Sequence, residues 1–271
     1  MNLNEEVRNG YLITSEMKKV WNIQMEICKK IFEVCNKHNL RIVCSGGTAI
    51  GVLREHGYIP WDDDIDIMLP RPDYDRFLKE FDGKYAELNL QHYGNDNTCC
   101  IPFAKVYDNR TVLIEKLQKS GIYIDVFPID GLPEESKIKD YLYIFNNQLH
   151  KIYFMTPFYI ITGSLKDRIK YYVKKFIYPT RDKYIMGFYN FLKSYSFENS
   201  VNAGAICGIY AEKELMPRET FESYITVEFE GRQYMAIKDY DAYLTKHYGD
   251  YMQLPSKEKQ VSHHVFTAYW K

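Results

Sequence analysis

The chain opens with a regular pattern of apolar and polar positions. Apolar residues recur at helical spacing over 16–38, which predicts an amphipathic helix with Ser15 as its N-cap. The mostly apolar run 40–44 then favours a buried strand, and helix-forming residues follow over 48–55. The pattern therefore predicts a helix, a strand, a Ser-Gly-Gly-Thr turn and a second, short helix.

Further along, one more helix is predicted, and the pattern then changes to the two-residue period of strands. Pro72 is well placed to open a helix whose buried side would carry Tyr74, Phe77, Leu78 and Phe81. Runs rich in β-branched and aromatic residues predict strands at 88–93, 101–107, 111–115 and 121–127. Helices against a mixed sheet of about five strands make an α+β fold.

The second half of the chain is helical in period at first and mixed later. Residues 136–178 favour helices, interrupted by Pro157 and Gly163. The sequence Phe-Glu-Gly-Arg-Gln at 229–233 is typical of a hairpin turn, and 239–248 predicts a short helix that ends at the following glycine.

Composition narrows the class of protein. The 271 residues suffice for a full core, and 46% hydrophobic with 26% charged residues is ordinary for a globular protein. Because 35 basic residues nearly balance 36 acidic ones, no nucleic-acid partner is expected. The 25 tyrosines are unusual, and aromatic rings can stack on sugars or hold a quaternary ammonium.

The cysteines and the first residues of the chain indicate the cellular compartment to expect. The six cysteines lack the paired C-x-x-C spacing of a zinc site, and the opening Met-Asn-Leu-Asn-Glu-Glu is not a signal peptide. We therefore expect reduced thiols in a cytoplasmic protein. No apolar stretch approaches the length that spans a bilayer.

The strongest chemical feature is an acidic segment, Trp-Asp-Asp-Asp-Ile-Asp-Ile, at 61–67. Side chains alternate along a strand, so Asp64 and Asp66 would share one face while Ile65 and Ile67 point into the fold. Two carboxylates on one face repel unless a cation joins them. Mg²⁺ suits such a pair, since it prefers oxygen ligands and often binds carboxylates together with substrate phosphates.

The turn Ser45-Gly46-Gly47-Thr48 supplies a second part of a site. A strand, a glycine turn and a helix bring backbone N–H groups to one place, where phosphate can bind without much positive charge. Glycines permit a close approach of the backbone. Arg54 could pair with a phosphate oxygen. Turn and carboxylates together predict metal-assisted phosphoryl or nucleotidyl transfer.

The segment that carries these two motifs resembles a known family. Residues 49–77, AIGVLREHGYIPWDDDIDIMLPRPDYDRF, closely resemble the LicD signature, and also that of the fukutin-related proteins. Both belong to the DNA polymerase β-like nucleotidyltransferase superfamily, in which a third acid stands on a later strand. Asp125 fits this position, within Ile-Tyr-Ile-Asp-Val-Phe-Pro at 122–128. A weaker likeness covers 240–264.

The resemblance implies a fold and a reaction. It implies an α+β, polymerase β-like nucleotidyltransferase fold, with flanking helices and a C-terminal helical extension. We expect one catalytic domain over 1–271, with a core at about 15–130 and a helical and mixed extension at about 135–271. Known LicD members transfer phosphorylcholine from CDP-choline to a sugar hydroxyl of a cell-surface glycan, and fukutin-related proteins transfer ribitol phosphate from CDP-ribitol. The predicted cofactor is Mg²⁺, held by Asp64, Asp66 and Asp125.

Several alternatives stay open. The donor could carry ribitol, glycerol or another alcohol, attack could fall on the α-phosphate as in nucleotidyl transfer, or the chain could be a glycan-binding protein without activity. The intact Asp64, Asp66 and Asp125 disfavour the last. Asp125 would complete the metal site or accept the proton of the attacking hydroxyl.

The remaining candidates are less specific. Lys105 could contact a phosphate, as could Arg110, and Trp61 could wall the donor site or pack behind the turn. Asp62 and Asp63 precede the strand, so their part is less certain. Accessory phosphate contacts are expected from three histidines: His56, His263 and His264. Asp130-Gly131 is typical of a turn.

A basic and aromatic segment lies within the helical region. Between residues 166 and 177, lysines and an arginine alternate with Ile, Tyr, Val and Phe. Such a helix can lie on an anionic membrane surface, which would place the protein peripherally on the inner face of the membrane, near lipid-linked glycan acceptors. It can equally be a solvated face with snorkelling lysines.

Overall fold

A computed structural model describes residues 1–96, 99, 101–115, 118–155, 165–177, 181–208, 210–262 and 266–270. The chain divides into two compact units. Unit 1 comprises Met1–Leu90, Lys105–Ile129 and Glu219–Lys271, and unit 2 comprises Gln91–Ala104 and Asp130–Arg218. The predicted extension is thus shared between the units, since 219–271 belongs to unit 1.

Among the described residues, strands and helices come mostly in separate runs rather than in regular alternation. The α-helices are α1 (Ser15–Lys37), α2 (Gly46–Ile50), α3 (Arg71–Phe81), α4 (Ile138–Met155), α5 (Leu165–Ile177), α6 (Arg181–Leu192) and α7 (Tyr240–Tyr248). The strands are β1 (Glu6–Arg8), β2 (Tyr11–Ile13), β3 (Val43–Cys44), β4 (Asp66–Pro70), β5 (Leu88–Gln91), β6 (Ala104–Asp108), β7 (Thr111–Glu115), β8 (Gln118–Ser120), β9 (Tyr123–Leu132), β10 (Asn202–Gly204), β11 (Met216–Pro217), β12 (Tyr224–Phe229), β13 (Arg232–Ile237) and β14 (Phe266–Trp270). The fold is therefore α+β.

Helix α1 is the first helix of unit 1. Its predicted start is wrong by one residue, because Thr14 is the N-cap: its hydroxyl oxygen accepts a hydrogen bond from the backbone N–H of Met17 at 3.2 Å. Ser15 instead donates to the neighbouring Glu16 carboxylate. The apolar side of α1 is buried, with Trp21 and Ile31 fully covered.

A mixed sheet is the centre of unit 1. Strand β4 pairs parallel with β9 and antiparallel with β3, while β6 pairs with β9 and with β5. The strands β3-β4-β9-β6-β5 belong to a sheet of seven described strands, larger than the predicted size of about five, because β10 and β11 also join it. Ile67, Met68 and Leu69 are fully buried, as expected for a central strand with both faces covered.

The predicted elements differ from the observed ones mainly at their ends. The strand expected over 40–44 is confined to β3, and the helix expected over 48–55 is α2 followed by a π-helical turn, Gly51–Glu55. The turn predicted at Asp130-Gly131 is wrong. Both residues lie in β9, where they pair with Gly204 and Ala203. An added Cβ at Gly131 would lie 2.5 Å from the Ser196 carbonyl oxygen, so close packing requires this glycine.

Residues 219–271 complete unit 1. Strands β12 and β13 form the predicted hairpin, and its turn residues Glu230 and Gly231 both have positive φ, as a type I′ turn requires. Helix α7 ends at Gly249, as predicted, and β14 pairs antiparallel with β7. The end of the chain is thus mixed in structure.

Unit 2 is largely helical. Rings of α4 and α6 pack together, with Tyr141 stacked on Phe191 at 4.5 Å between centroids. The end of β9 pairs with β10, and β10 pairs with β11. Among the described helices, none is both long and apolar enough to cross a membrane.

Candidate functional site

The acid strand and the third-acid strand are direct neighbours in unit 1. Asp66, the first residue of β4, is the register partner of Asp125 on the parallel strand β9. Paired residues of parallel strands present their side chains on the same face, about 4.8 Å apart. Two of the three predicted metal ligands therefore lie side by side.

Asp64 precedes β4, in the segment 62–65, which is neither helix nor strand. Helix α1 holds this segment. The indole N–H of Trp21 donates to the Asp62 carbonyl oxygen at 2.9 Å, and the amide of Gln24 donates to the Asp63 carbonyl oxygen at 2.8 Å. Asp64 is therefore not part of the strand in which the sequence placed it. Side chains of α1 hold its segment instead.

The carboxylates of the acidic segment are crowded. Asp62, Asp63 and Asp64 each offer an oxygen atom, and these atoms lie within 4.8 Å of one another. The Asp63 carboxylate is also bonded by the Ser262 hydroxyl, which donates to it. The segment therefore gathers more negative charge than the two aspartates singled out from the sequence.

Burial and mutual repulsion disfavour the ionised forms of these groups. Burial raises the pKa of Asp62 well above its usual value, and the neighbouring Asp64 raises it further. Burial likewise raises the pKa of Asp66, with further contributions from Asp64, Asp125 and Asp62. A divalent cation would remove the repulsion, and carboxylate oxygens are the ligands that Mg²⁺ prefers. The donor set therefore fits a hard cation.

The glycine turn lies directly against these carboxylates. An added Cβ at Gly46, where φ is +53°, would lie 2.9 Å from Oδ2 of Asp66, and one at Gly47 would lie 2.7 Å from Oδ2 of Asp62. Any side chain at either position would collide with a carboxylate. The structure thus brings the turn and the acids together.

Ser45 and Thr48 join the turn to β4. The Ser45 N–H donates to the Asp66 carbonyl oxygen at 2.9 Å, and the Thr48 hydroxyl oxygen accepts from the Asp66 N–H, also at 2.9 Å. Both residues are buried. Their visible effect is to fix the position of Asp66 relative to the turn.

Lys105 brings a positive charge to the site. Its Nζ lies 2.9 Å from Oδ1 and 3.2 Å from Oδ2 of Asp125, and 3.4 Å from the centre of the Tyr123 ring. Because both side chains are only 13% exposed, this ion pair is less screened by solvent than a surface pair. Lys105 therefore offsets part of the carboxylate charge. Arg110, by contrast, pairs with Asp108.

Arg54 and Trp61 have other neighbours. The Arg54 guanidinium donates to the Tyr251 carbonyl oxygen at 2.6 Å and to Glu55 at 2.7 Å, and its side chain is 10% exposed. Trp61 is buried and meets the ring of Tyr11 edge-on at 5.9 Å. The structure thus shows Arg54 in hydrogen bonds and Trp61 in a ring contact, and their predicted substrate contacts stay predictions.

Two residues were missed or undervalued in the sequence. Asp62 faces Gly47, although its position before the strand left its part uncertain. The Tyr248 hydroxyl lies 3.7 Å from the position of a Cβ on Gly46, close to Asp66. No spacing rule connects residue 248 to a turn at 46, so only the fold reveals this contact.

Of the three predicted histidines, His56 alone lies among the described residues. His56 adopts the left-handed conformation at the end of the π-helical turn, where its carbonyl oxygen accepts from the Glu230 N–H. His263 and His264 lie outside the described residues.

Comparison with known proteins agrees with this geometry. Residues 39–183 match the family model described as LicD/FKTN/FKRP, nucleotidyltransferase domain. The chain is also 31% identical over 265 residues to lipopolysaccharide cholinephosphotransferase LicD of Haemophilus influenzae, covering 91% of this chain and 96% of that protein. The chain belongs to the LicD family. It is accordingly a transferase, and the matched range contains the glycine turn and every aspartate of the site.

Proposed function

We propose that this LicD-family protein transfers phosphorylcholine from CDP-choline to a sugar hydroxyl of a cell-surface glycan, such as lipopolysaccharide, teichoic acid or capsule. The observation that supports this most strongly is the match to a cholinephosphotransferase along 96% of its length. The proposal includes a polymerase β-like core, Mg²⁺ as cofactor and a cytoplasmic location, all of which the sequence led us to expect.

In the proposed reaction, the acceptor oxygen attacks the phosphorus that bears choline. A new P–O bond forms to the sugar, the bond from that phosphorus to the bridging oxygen breaks, and CMP leaves with the bond electrons. The hydroxyl proton passes to a base, for which the Asp125 carboxylate is the candidate. No oxidant or further reactant is needed.

The carboxylates would hold the cation in this scheme. Asp64, Asp66 and Asp125 are the ligands proposed from the sequence, and the crowding around Asp62 adds it to the set. Bound Mg²⁺ would neutralise charge on the diphosphate and on the departing CMP.

The chain's own groups would position the donor. The bare backbone at Gly46 and Gly47 leaves room for a phosphate beside the carboxylates, since a Cβ at either position would enter that space. Lys105, already among the acidic groups, supplies a cation that a phosphate oxygen could reach. Positioning and electrostatics would provide most of the rate enhancement.

A second donor class remains a candidate for the same site. The matching family model also covers the fukutin-type proteins, which favours testing CDP-ribitol and CDP-glycerol beside CDP-choline. The carboxylates and the glycine turn would serve each donor alike, so the alcohol must be recognised elsewhere.

The test is transfer by purified protein, followed as CMP release with each CDP-alcohol and a glycan acceptor, with and without Mg²⁺. We expect Mg²⁺-dependent release from CDP-choline, and a fall of about 1000-fold in Asp64→Asn, in the range of lost electrostatic stabilisation at catalytic sites. Asp82→Asn, at an exposed aspartate, is the matched control and should retain activity. Release of CMP from CDP-ribitol alone would show that the donor is not CDP-choline. Unaltered activity in Asp64→Asn would show that Asp64 is not a metal ligand.

A further inference from the structure

Helix α5 of unit 2 carries an exposed row of apolar side chains. Its members and their exposed fractions are Leu165 (76%), Ile169 (56%), Tyr172 (60%), Val173 (53%) and Phe176 (88%). We call these five residues the α5 row. Each residue advances about 100° around a helix, so their spacing places them on one stripe. Contiguous exposed apolar side chains of this kind mark binding surfaces more often than plain solvent-facing helix.

Basic side chains border the α5 row. Lys166 and Arg168 are exposed, and their helical positions lie about 80° to either side of the middle of the stripe. By sequence, α5 contains five basic residues, the other three being Lys170, Lys174 and Lys175, against the single acid Asp167. An apolar stripe between cations is the pattern of helices that lie in the interface of anionic membranes.

From these observations we propose that α5 is a membrane-docking surface, which inserts the α5 row among the acyl chains of an anionic lipid bilayer while its lysines and arginine contact the headgroups. The positive charge of α5 disfavours a second copy of the chain as the partner that covers the α5 row. Symmetric pairing through the same stripe would bring two strongly basic helices together. At 13 residues, α5 is too short to span a bilayer, so it would lie along the surface.

The inference is separate from the proposed chemistry, because docking needs neither donor nor acceptor. Docking on the membrane would bring the enzyme to glycan acceptors carried on lipid. The test is co-sedimentation of the full chain with vesicles of phosphatidylcholine alone or mixed with phosphatidylglycerol. The phosphatidylcholine headgroup is itself phosphocholine, so binding through the active site would follow the phosphatidylcholine content and be no tighter on the mixed vesicles.

We expect binding to the mixed vesicles to be at least about ten-fold tighter than to neutral ones, and to weaken as salt rises. The double variant Ile169→Ser, Phe176→Ser should lose about ten-fold or more of this binding. Lys166→Glu combined with Arg168→Glu should abolish the preference for anionic lipid. Met186→Ser is the control, because Met186 is 59% exposed on α6, outside the α5 row.

Three results would overturn the docking surface. The first is absence of binding to anionic vesicles, and the second is equal binding by wild type and the double variant. The third is a wild-type dimer in gel filtration that Phe176→Ser converts to monomer, since a second copy would then cover the α5 row. Circular dichroism of each variant verifies that it is folded.

Discussion

At the scale of single residues, the site gathers like charges that oppose folding in the absence of a cation. The Asp66 carboxylate is half-buried, and its desolvation together with the charges of Asp64 and Asp125 raises its pKa well above the usual value. A carboxyl whose pKa is raised on folding binds protons more strongly in the folded state. Its contribution to stability therefore falls as pH rises, and the full cost is present above the folded pKa.

The first prediction concerns Asp66→Asn. In a chelator at neutral pH the variant should be more stable than wild type, because the repulsive charge is gone. A gain of about 1 kcal/mol would raise the melting midpoint by about 2–4 °C. The gain should shrink as pH is lowered, since wild type then takes up the proton. Transfer activity should be lost in the same variant.

Calorimetry across a pH series, with and without Mg²⁺, checks this prediction. Mg²⁺ should stabilise wild type and leave Asp66→Asn nearly unchanged. A variant that is less stable than wild type in chelator would show that Asp66 contributes to folding by contacts other than its charge.

The second prediction concerns the space beside the acids. Gly47→Ala would place a Cβ about 2.7 Å from Oδ2 of Asp62, so the turn or the carboxylate must move. A displacement of about 1 Å can reduce catalysis by about 100-fold, and we expect a loss of that order in kcat/KM. Gly187→Ala is the control, because a Cβ there meets no atom within 4 Å. Equal activity of the two variants would contradict the close approach.

At the scale of elements, α1 supports the acidic segment. The segment 62–65 is neither helix nor strand, and its carbonyl groups at Asp62 and Asp63 accept hydrogen bonds from Trp21 and Gln24 of α1. A buried carbonyl that loses its donor costs about 1–3 kcal/mol. The helix thereby determines where the first carboxylates of the site lie.

The third prediction tests this support. Trp21→Phe removes the indole N–H and should lower the free energy of unfolding by about 1–3 kcal/mol. It should also raise the Mg²⁺ concentration needed for half-maximal transfer, because Asp62 is less firmly held. Urea denaturation and a Mg²⁺ titration of activity measure the two effects.

Tyr58→Phe is the matched control for Trp21→Phe. Tyr58 stacks on Trp21 at 4.3 Å between centroids, and its hydroxyl donates to Gln24 and to the Trp21 carbonyl oxygen. This variant should lose stability while its Mg²⁺ requirement changes less than that of Trp21→Phe, because Trp21 still donates to Asp62 and Gln24 to Asp63. An equal shift in Mg²⁺ requirement for both variants would mean that the effect is not specific to the Asp62 contact.

The elements themselves were largely predictable from the sequence. Periodicity located α1, α3, the β12–β13 hairpin and α7, because each carries a regular apolar pattern or a turn with a clear glycine requirement. The wrong turn at Asp130-Gly131 has a physical reason. Asp-Gly favours turns locally, but here the pairing of β9 with β10 and the close approach of Ser196 decide the structure.

At the scale of the whole molecule, the sequence predicted the parts of the site better than their arrangement. The glycine turn and the acidic segment are close in sequence, and resemblance alone pointed to Asp125 as the third acid. The parallel pairing of β4 with β9 then places Asp66 beside Asp125. The contacts of Tyr248 and Ser262 arise because residues 219–271 fold into unit 1, which no local pattern reveals.

The most direct test of the central claim is isothermal titration of purified protein with CDP-choline, in Mg²⁺ and in chelator, for wild type and Asp64→Asn. The account predicts that wild type binds CDP-choline at least about ten-fold more tightly with Mg²⁺ than without, and that Asp64→Asn loses this dependence. Equal affinity in Mg²⁺ and in chelator would contradict a donor site built on carboxylate-bound metal.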